Sequence, residues 1–257
     1  MLEGANTDSS YSVPFPKIKT NMNISSPNTD LVCDERVIYE RMLPLNGAQV
    51  LELGCGKAEH TFDIAQNWNI NRIVALEVDQ TQYAENLQRN APSNVSFQLG
   101  GAEAIPADDS SFDIVLMFKS LHHVPMEFMD TALEEICRVL KPGGLAYISE
   151  PVFAGEFNEI LKLFHNEQTV REVAFTAVKR AIASDNFELV SQTFFSTPMH
   201  FESFSQFENN VLKVTHTRHK LSPELYQQVK QKFMEYMAEE GARFEMPIRV
   251  DLLRKPI

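Results

Sequence analysis

The sequence is short of cysteine and of basic residues, has one tryptophan, and lacks any long apolar run. Each shortage excludes something. The three cysteines, Cys33, Cys55 and Cys137, share no close spacing, so neither a disulfide framework nor a zinc cluster is expected. They read as reduced thiols in a cytosol-like compartment. No stretch approaches the ~18 consecutive apolar residues of a membrane-spanning helix. The start, MLEGANTDSSYSVPFPKIKTNMN, has no apolar leader core. Lys and Arg total 23 against 35 Asp and Glu, a formal charge of −12. That balance lacks the basic footprint of a nucleic-acid surface and opposes docking on anionic lipid. Neither nucleic acid nor membrane is therefore an expected partner, and a cytoplasmic location is expected. The sequence leaves the oligomeric state open.

What is present is ordinary globular composition, 257 residues of which 44% are hydrophobic and 23% charged. The length suits one large domain or a core with a cap. Residues 1–28 are rich in Ser, Asn, Thr and Pro with little periodicity and read as a mobile arm. A helix is expected between Asp30 and Met42, and Asn46-Gly47 marks a turn. Five short apolar runs follow, Gln49–Leu53, Arg72–Glu77, Val95–Leu99, Phe112–Met117 and Gly144–Ser149, with helical sequence after the first, second and fourth. Near-continuous apolar strands belong in a parallel sheet buried on both faces. Their alternation with helices predicts a doubly wound α/β fold.

Past Pro151 the pattern predicts helices over Phe157–His165 and Thr169–Ile182 and strands at Phe187–Phe195 and Arg249–Arg254. Between the two strands, Ser222-Pro223-Glu224 opens another helix. Leu225, Val229, Phe233, Tyr236 and Met237 share one face of it, so it either packs on the sheet or caps a ligand site. The expected division is an arm at 1–28, a core at 29–196, a cap or insertion at 197–247, and the core's last strand at 248–257.

The sharpest local signal is Val50-Leu51-Glu52-Leu53-Gly54-Cys55-Gly56-Lys57-Ala58, a strand that ends in glycines before a helix. Glycines let the backbone turn sharply and approach a ligand without a Cβ clash. At the carboxyl end of a parallel strand that turn forms a nucleotide crevice. A dinucleotide fingerprint wants glycine or alanine where this chain has Glu59, which is bulky and negative near an expected pyrophosphate. No P-loop Gly-Lys-Ser/Thr follows. The second strand ends in Glu77-Val78-Asp79, and an acid near this spacing can accept both ribose hydroxyls. Asp79 is the favoured ribose acid, with Glu77 competing and helix capping as the alternative role for Asp79.

ELGCG, EVDQT, GGAEAIPADDSSFDIVLMFKSLHHV and EEICRVLKPGGLAYISEP, in that order over about residues 48–153, resemble class I S-adenosylmethionine-dependent methyltransferases, most nearly the group with the ubiquinone and menaquinone enzymes. The resemblance implies a Rossmann-like, mostly parallel seven-stranded sheet ending in an antiparallel hairpin. It implies that Glu52, Gly54, Cys55 and Gly56 face the amino-acid part of S-adenosyl-L-methionine, and that Asp79 holds its ribose. It implies that Gly101, Ala102 and Glu103 lie along the adenine. Gly101 stands where the family usually has an acid, and Glu103 can compensate. Phe118 and Lys119 follow the fourth strand, where the family lines the methionine end, and Leu53, Ile105 and Phe118 can form an apolar wall. The implied activity is methyl transfer to a small-molecule acceptor by in-line attack on the sulfonium methyl, leaving S-adenosyl-L-homocysteine.

Proximity, alignment and removal of water can supply much of such a reaction's acceleration, and a base is needed only if the nucleophile must lose a proton. His122, His123 and Glu150 are the candidate catalytic groups, because both segments follow strands at the functional edge. Their alternative roles are scaffold packing for the histidines and a turn acid for Glu150. His216 and His219, at i and i+3, lack a nearby carboxylate pattern, and no metal site is expected. His200, Phe201, Phe204 and Phe207 read as core or as an acceptor pocket. A non-catalytic S-adenosylmethionine-binding module and a nicotinamide-dependent oxidoreductase remain the alternative functions.

Overall fold

A computed structural model of the chain describes residues 22–26, 30–213 and 221–257. The pair His216 and His219, and nearly all of the expected arm, lie outside the described residues. Helix α1 (Glu35–Met42) is capped by the Asp34 side chain, which accepts from Arg36 N, and it begins five residues after the expected start at Asp30. Strands β1 (Gln49–Leu53), β2 (Arg72–Glu77), β3 (Val95–Leu99), β4 (Phe112–Phe118) and β5 (Leu140–Pro151) alternate with α2 (Glu59–Asn67), α3 (Gln80–Leu87) and α4 (Met129–Val139). Helices α5 (Glu156–Leu161) and α6 (Gln168–Ala183) precede β6 (Glu188–Phe201). Then come α7 (Phe204–Phe207), a π turn over Glu208–Leu212, α8 (Pro223–Met234), β7 (Met237–Ala238) and β8 (Gly241–Arg254).

The sheet order is β3-β2-β1-β4-β5-β8-β6, with β7 added to β8. β1 to β5 pair in parallel, whereas β8 runs antiparallel between β5 and β6. The expected doubly wound α/β class is therefore the observed one. Helix α4 shows why the periodic reading succeeds, since Met129, Ala132, Leu133, Ile136 and Val139 recur at helical spacing and are all buried. They join Leu51, Leu53, Val115, Met117 and residues of α6 in the core on one side of the sheet. Val50, Ile114, Leu116 and Phe118 point to the other side, against Ile38 and Tyr39 of α1 and Ile64 of α2. Leu53 and Ile105 thus belong to one core and Phe118 to the other, so they do not form the single wall expected of them.

The stretch 197–247 begins and ends as sheet. Register pairs run from Thr197↔Met246 to Phe201↔Ala242, continuing the β6–β8 hairpin without a break. Alternating apolar and polar residues on a long hairpin look like loop sequence when its return strand is forty residues away. Beyond the hairpin, Phe201, Phe204, Phe207, Phe233 and Phe244 bury together with Phe157 and Val229. The aromatic run is core, and α8 packs on it after starting at Ser222, whose side chain accepts from Leu225 N. Gly241 opens β8, with φ +97° and Phe201 O against the place a Cβ would take. Among the described residues no helix is long and apolar enough to cross a membrane.

Phe233 is fully buried at the centre of the hairpin cluster, 4.8 Å from the ring of Phe207. Phe233→Ala should lower unfolding stability by about 3–5 kcal/mol in urea titration. A loss under about 1 kcal/mol would mean that this cluster folds independently of the core.

Candidate functional site

The sheet order reverses between β1 and β4, and in such sheets a ligand crevice opens beyond the carboxyl ends of those two strands. Glycines supply its floor. Gly54 has φ +70° and Gly56 φ +51°, and a Cβ on Gly54 would stand 2.8 Å from Ser120 Cβ. The turn after β1 can therefore lie against the turn after β4 only if residue 54 is glycine. Ser120 Oγ donates to Leu53 O at 2.8 Å and locks the two turns together. Gly54 N and Cys55 N both donate to Leu76 O, at 2.9 and 3.0 Å. Asn86, fully buried on α3, donates to Gly56 O at 2.7 Å. The Cys55 side chain is buried, and burial pushes its thiol well above the ordinary range. It is part of the loop's packing.

The end of β2 is where the structure redistributes roles. The Glu77 carboxylate accepts Gly56 N at 2.7 Å through Oε2, and Val78 N and Asp79 N at 2.8 and 2.9 Å through Oε1. It is buried at the strand tip, beside the glycine turn. Asp79 instead caps α3, its carboxylate accepting Thr81 N at 2.8 Å and Gln82 N at 3.3 Å. Asp79, the expected ribose acid, thus lies past the end of the strand, in the cap of α3, whereas Glu77 stands at the tip of β2. Gly100 N donates to Glu77 O at 3.1 Å, which brings the 100–103 loop alongside. At Gly101 a Cβ would lie 2.6 Å from Glu103 Cδ. The Glu103 carboxylate occupies the space that an acid at 101 would enter. Ala102 is buried beneath it.

Glu52 is buried, and its carboxylate accepts from the Thr61 hydroxyl of α2. Burial pushes its carboxyl up to about 7, against the Thr61 hydrogen bond, with the charges of Glu77 and Glu35 adding to the rise. Phe118 ends β4 stacked on His60 with centroids 4.1 Å apart, and Tyr39 and Tyr147 flank it at 5.7 and 5.5 Å. Lys119 is left-handed, φ +53°, an uncommon state for a residue with a Cβ. Its Nζ lies 2.5 Å from Oε2 of buried Glu35, whose Oε1 accepts from Tyr147 OH at 3.3 Å. Lys119 is thereby turned onto α1. Glu35, Tyr39, His60 and Thr61 were not legible as site residues, since their helices carry no motif.

His122 and Glu150 do meet. His122 Nδ1 stands 2.6 Å from Glu150 Oε2, while Leu121 N and His122 N donate to Oε1 at 3.0 and 3.4 Å. Burial would raise the Glu150 carboxyl, but the charge and hydrogen bond of His122, helped by Arg249, hold it below the usual carboxylate range. Burial would likewise lower His122, and Glu150 with Glu167 raises it instead. Glu167, at the start of α6, is held by Arg171 Nη2 at 2.5 Å and lies 2.8 Å from His165 Nε2. The Glu167–Arg171 pair is an i, i+4 pattern in a helix that is otherwise apolar on its inner face, a signal that could have marked it. His123 is exposed, its ring 4.1 Å from that of His122. On β8, Arg249 is buried and bonded to Asp251 at 2.8 Å. Arg171 Nε, Asn158 Nδ2 and Arg249 Nη2 are buried donors without a hydrogen-bond partner among the described residues.

Residues 50–144 match the methyltransferase domain family. The matched residues run from β1 into β5 and include the glycine turn. The chain is 34% identical to the demethylmenaquinone methyltransferase of Lactococcus lactis over 109 residues, 41% of this chain and 42% of that one. It is 34% identical to the O-methyltransferase rstn1 of Aspergillus nomiae over 138 residues, 51% of this chain and 59% of that one. The chain thus spans about two-fifths to three-fifths of the length of these curated relatives. A SAM-dependent methyltransferase structure from Methanosarcina mazei superposes over 86% of this chain and 97% of that one, with a TM-score of 0.53 at 14% identity. The matched segment ends within β5, and the β6–β8 hairpin lies beyond it in the same sheet.

Gly54→Ala forces a Cβ into a left-handed backbone and against Ser120. Together these should lower stability by about 2 kcal/mol or more. A thermal midpoint within 1–2 °C of the unaltered chain would show that the two turns are free to separate.

Proposed function

We propose that this protein transfers the methyl group of S-adenosyl-L-methionine to a small-molecule acceptor. One observation carries the reading: the crevice at the sheet reversal presents two buried acids, Glu52 and Glu77, beside a glycine turn whose third fingerprint position is Glu59. Acids suit a cationic, ribose-bearing nucleoside and repel a pyrophosphate. The residues present fit that cofactor. Glu77, anchored by three backbone amides, would hold the ribose hydroxyls with its remaining lone pairs. Glu52 would face the cationic amine, with Gly54, Cys55 and Gly56 shaping the turn beneath it. Glu103, lying over Gly101, would supply the acceptor for the adenine amine, with Ala102 offering its backbone. Phe118 and His60 form an aromatic surface at the mouth, and Lys119, tied to Glu35, orders α1 against it.

When bound, S-adenosyl-L-methionine supplies an electrophilic methyl on a sulfonium. The protein's share is alignment and exclusion of water. His122, held by Glu150, is a positioning group, and exposed His123 is the one placed to take a proton from an acceptor. Where the chain leaves β5 a cleft of about 820 Å³ opens, lined by Ser26, Gly155, His200 and Arg243 among others, a size that suits a small molecule. Ile24 O accepts from Arg249 Nη1 at 3.3 Å, so residues 22–26 lie near this edge. This supports an acceptor site bordered by residues 22–26 and the hairpin's outer end.

Calorimetric titration with S-adenosyl-L-methionine, S-adenosyl-L-homocysteine and NADH tests the cofactor, with binding expected for the first two alone. Glu77→Ala should weaken that binding by about 10–100-fold. Asp79→Ala should leave it within about threefold while lowering stability by about 1 kcal/mol, the loss of a helix cap. The opposite ranking would return the ribose to Asp79.

Glu52 also sets a pH dependence. Its carboxyl titrates at about 7, and only the ionised form attracts the cofactor's ammonium. Below pH 7 binding must first expel a proton, so affinity should fall by about tenfold from pH 8 to pH 6. Glu52→Gln should bind more weakly, with a flat profile. A sloping profile in that variant would move the titration to another group.

A further inference from the structure

Beyond β4, His122 and His123, the positioning and proton-accepting groups of the methyl-transfer reading, meet a third ligating side chain, Glu167. One nitrogen each from His122 and His123 and a carboxylate oxygen of Glu167 lie within 4.8 Å of one another. His122 Nε2 and Glu167 Oε1 are 3.6 Å apart. Two ligands bound at ~2.1 Å in a tetrahedral site are ~3.4 Å apart, so this pair is already near the spacing that an ion imposes.

The surroundings are those of a prepared site. Glu150 takes the Nδ1 side of His122, which leaves Nε2 facing Glu167. A histidine that donates its other ring nitrogen to a carboxylate is the usual second layer of a metal ligand. Glu150 is itself fixed by two backbone amides. Arg171 holds Oε2 of Glu167, leaving Oε1 on the histidine side, where His165 Nε2 also reaches it. His122 and Glu167 are buried while His123 is exposed, so the trio has a dry side and an open side.

We propose that His122, His123 and Glu167 bind a divalent first-row transition ion, Zn²⁺ or a like-sized ion, with its remaining coordination positions open to solvent. Two imidazoles and one carboxylate select such an ion over Mg²⁺ or Ca²⁺, which prefer all-oxygen ligands. The site draws on the 3₁₀ turn after β4 and the N-cap residue of α6, 44 positions from His123, so no sequence spacing announces it. The ion's task, unlike its binding, rests on the methyl-transfer reading. At the carboxyl edge of the sheet the ion, in place of proton transfer to His123, would hold an acceptor's oxygen and lower the pKa of a hydroxyl bound to it.

The test is calorimetric and spectroscopic titration of the chelator-treated full chain with Zn²⁺ and Co²⁺, alongside S-adenosyl-L-methionine. One ion per chain is expected, with a visible Co²⁺ absorption that marks nitrogen and oxygen ligands. His123→Ala, an exposed change that should not disturb folding, should weaken binding by about 100-fold, and Glu150→Gln by about 10–100-fold through misorientation of His122. Absence of stoichiometric binding, or an affinity that His123→Ala does not alter, overturns the site. A chain that binds S-adenosyl-L-methionine but no ion refutes this proposal alone. One that binds the ion but not S-adenosyl-L-methionine refutes the methyl-transfer reading alone.

Discussion

The carboxylate of Glu77 holds three backbone amides that belong to two different turns, and the candidate site is arranged around that contact. The turn after β1 has no regular hydrogen-bonding partner of its own. Two of its amides, Gly54 N and Cys55 N, share Leu76 O, and the third, Gly56 N, ends on Glu77. Because a buried amide left unpaired is costly, the acid at the tip of β2 fixes the turn's shape. Gly54 then sits against Ser120, and the turn after β4 takes its position from that packing. Lys119 adopts a left-handed backbone there, and its side chain reaches back to Glu35 of α1. One carboxylate thus orders β1, β2, β4 and, through them, the first helix.

A second theme is charge buried at the same edge. Glu150 and Arg249 are register partners on β5 and β8, and Asp251, His122, Glu167 and Arg171 surround them. Such groups are expensive to bury unless paired and hydrogen-bonded, and here nearly every one is. The exceptions, single donors on Arg171, Asn158 and Arg249, are also at this edge. Elsewhere the two faces of the sheet are apolar. Concentrating charge where the strands end is what a polar ligand requires, and it departs from what stability alone would favour.

The hairpin of β6 and β8 shows how function and packing share a segment. It extends past the end of β5 and folds its outer end into an aromatic cluster with α5, α7 and α8. The cluster gives the outer hairpin a core of its own. It also carries His200 and Arg243 to the cleft that opens beside Gly155.

Much of this was legible in the chain. Strands β1, β2, β4 and β5 could be read because their apolar runs are mostly buried, β3 at the sheet edge because it keeps a short apolar run although partly exposed, and α4 because its apolar residues recur every three or four positions. The glycine turn and Glu52 could be read because a strand ending in glycines has few other uses. What could not be read depends on residues remote in sequence. Whether Glu77 or Asp79 faces the crevice turns on where β2 ends, a matter of one or two residues that pairing with β3 decides. The outer hairpin was hidden because its two strands pair across about forty residues of intervening chain. Glu167 meets His122, and Glu35 meets Lys119, only because helices packed on the sheet bring them there. The sequence by itself determined the alternation of elements and the chemistry at the first strand's end, since both are local consequences of side-chain size, polarity and backbone freedom. Only the tertiary structure decided which acids share a site, because charge partners are set by distance in space and not along the chain.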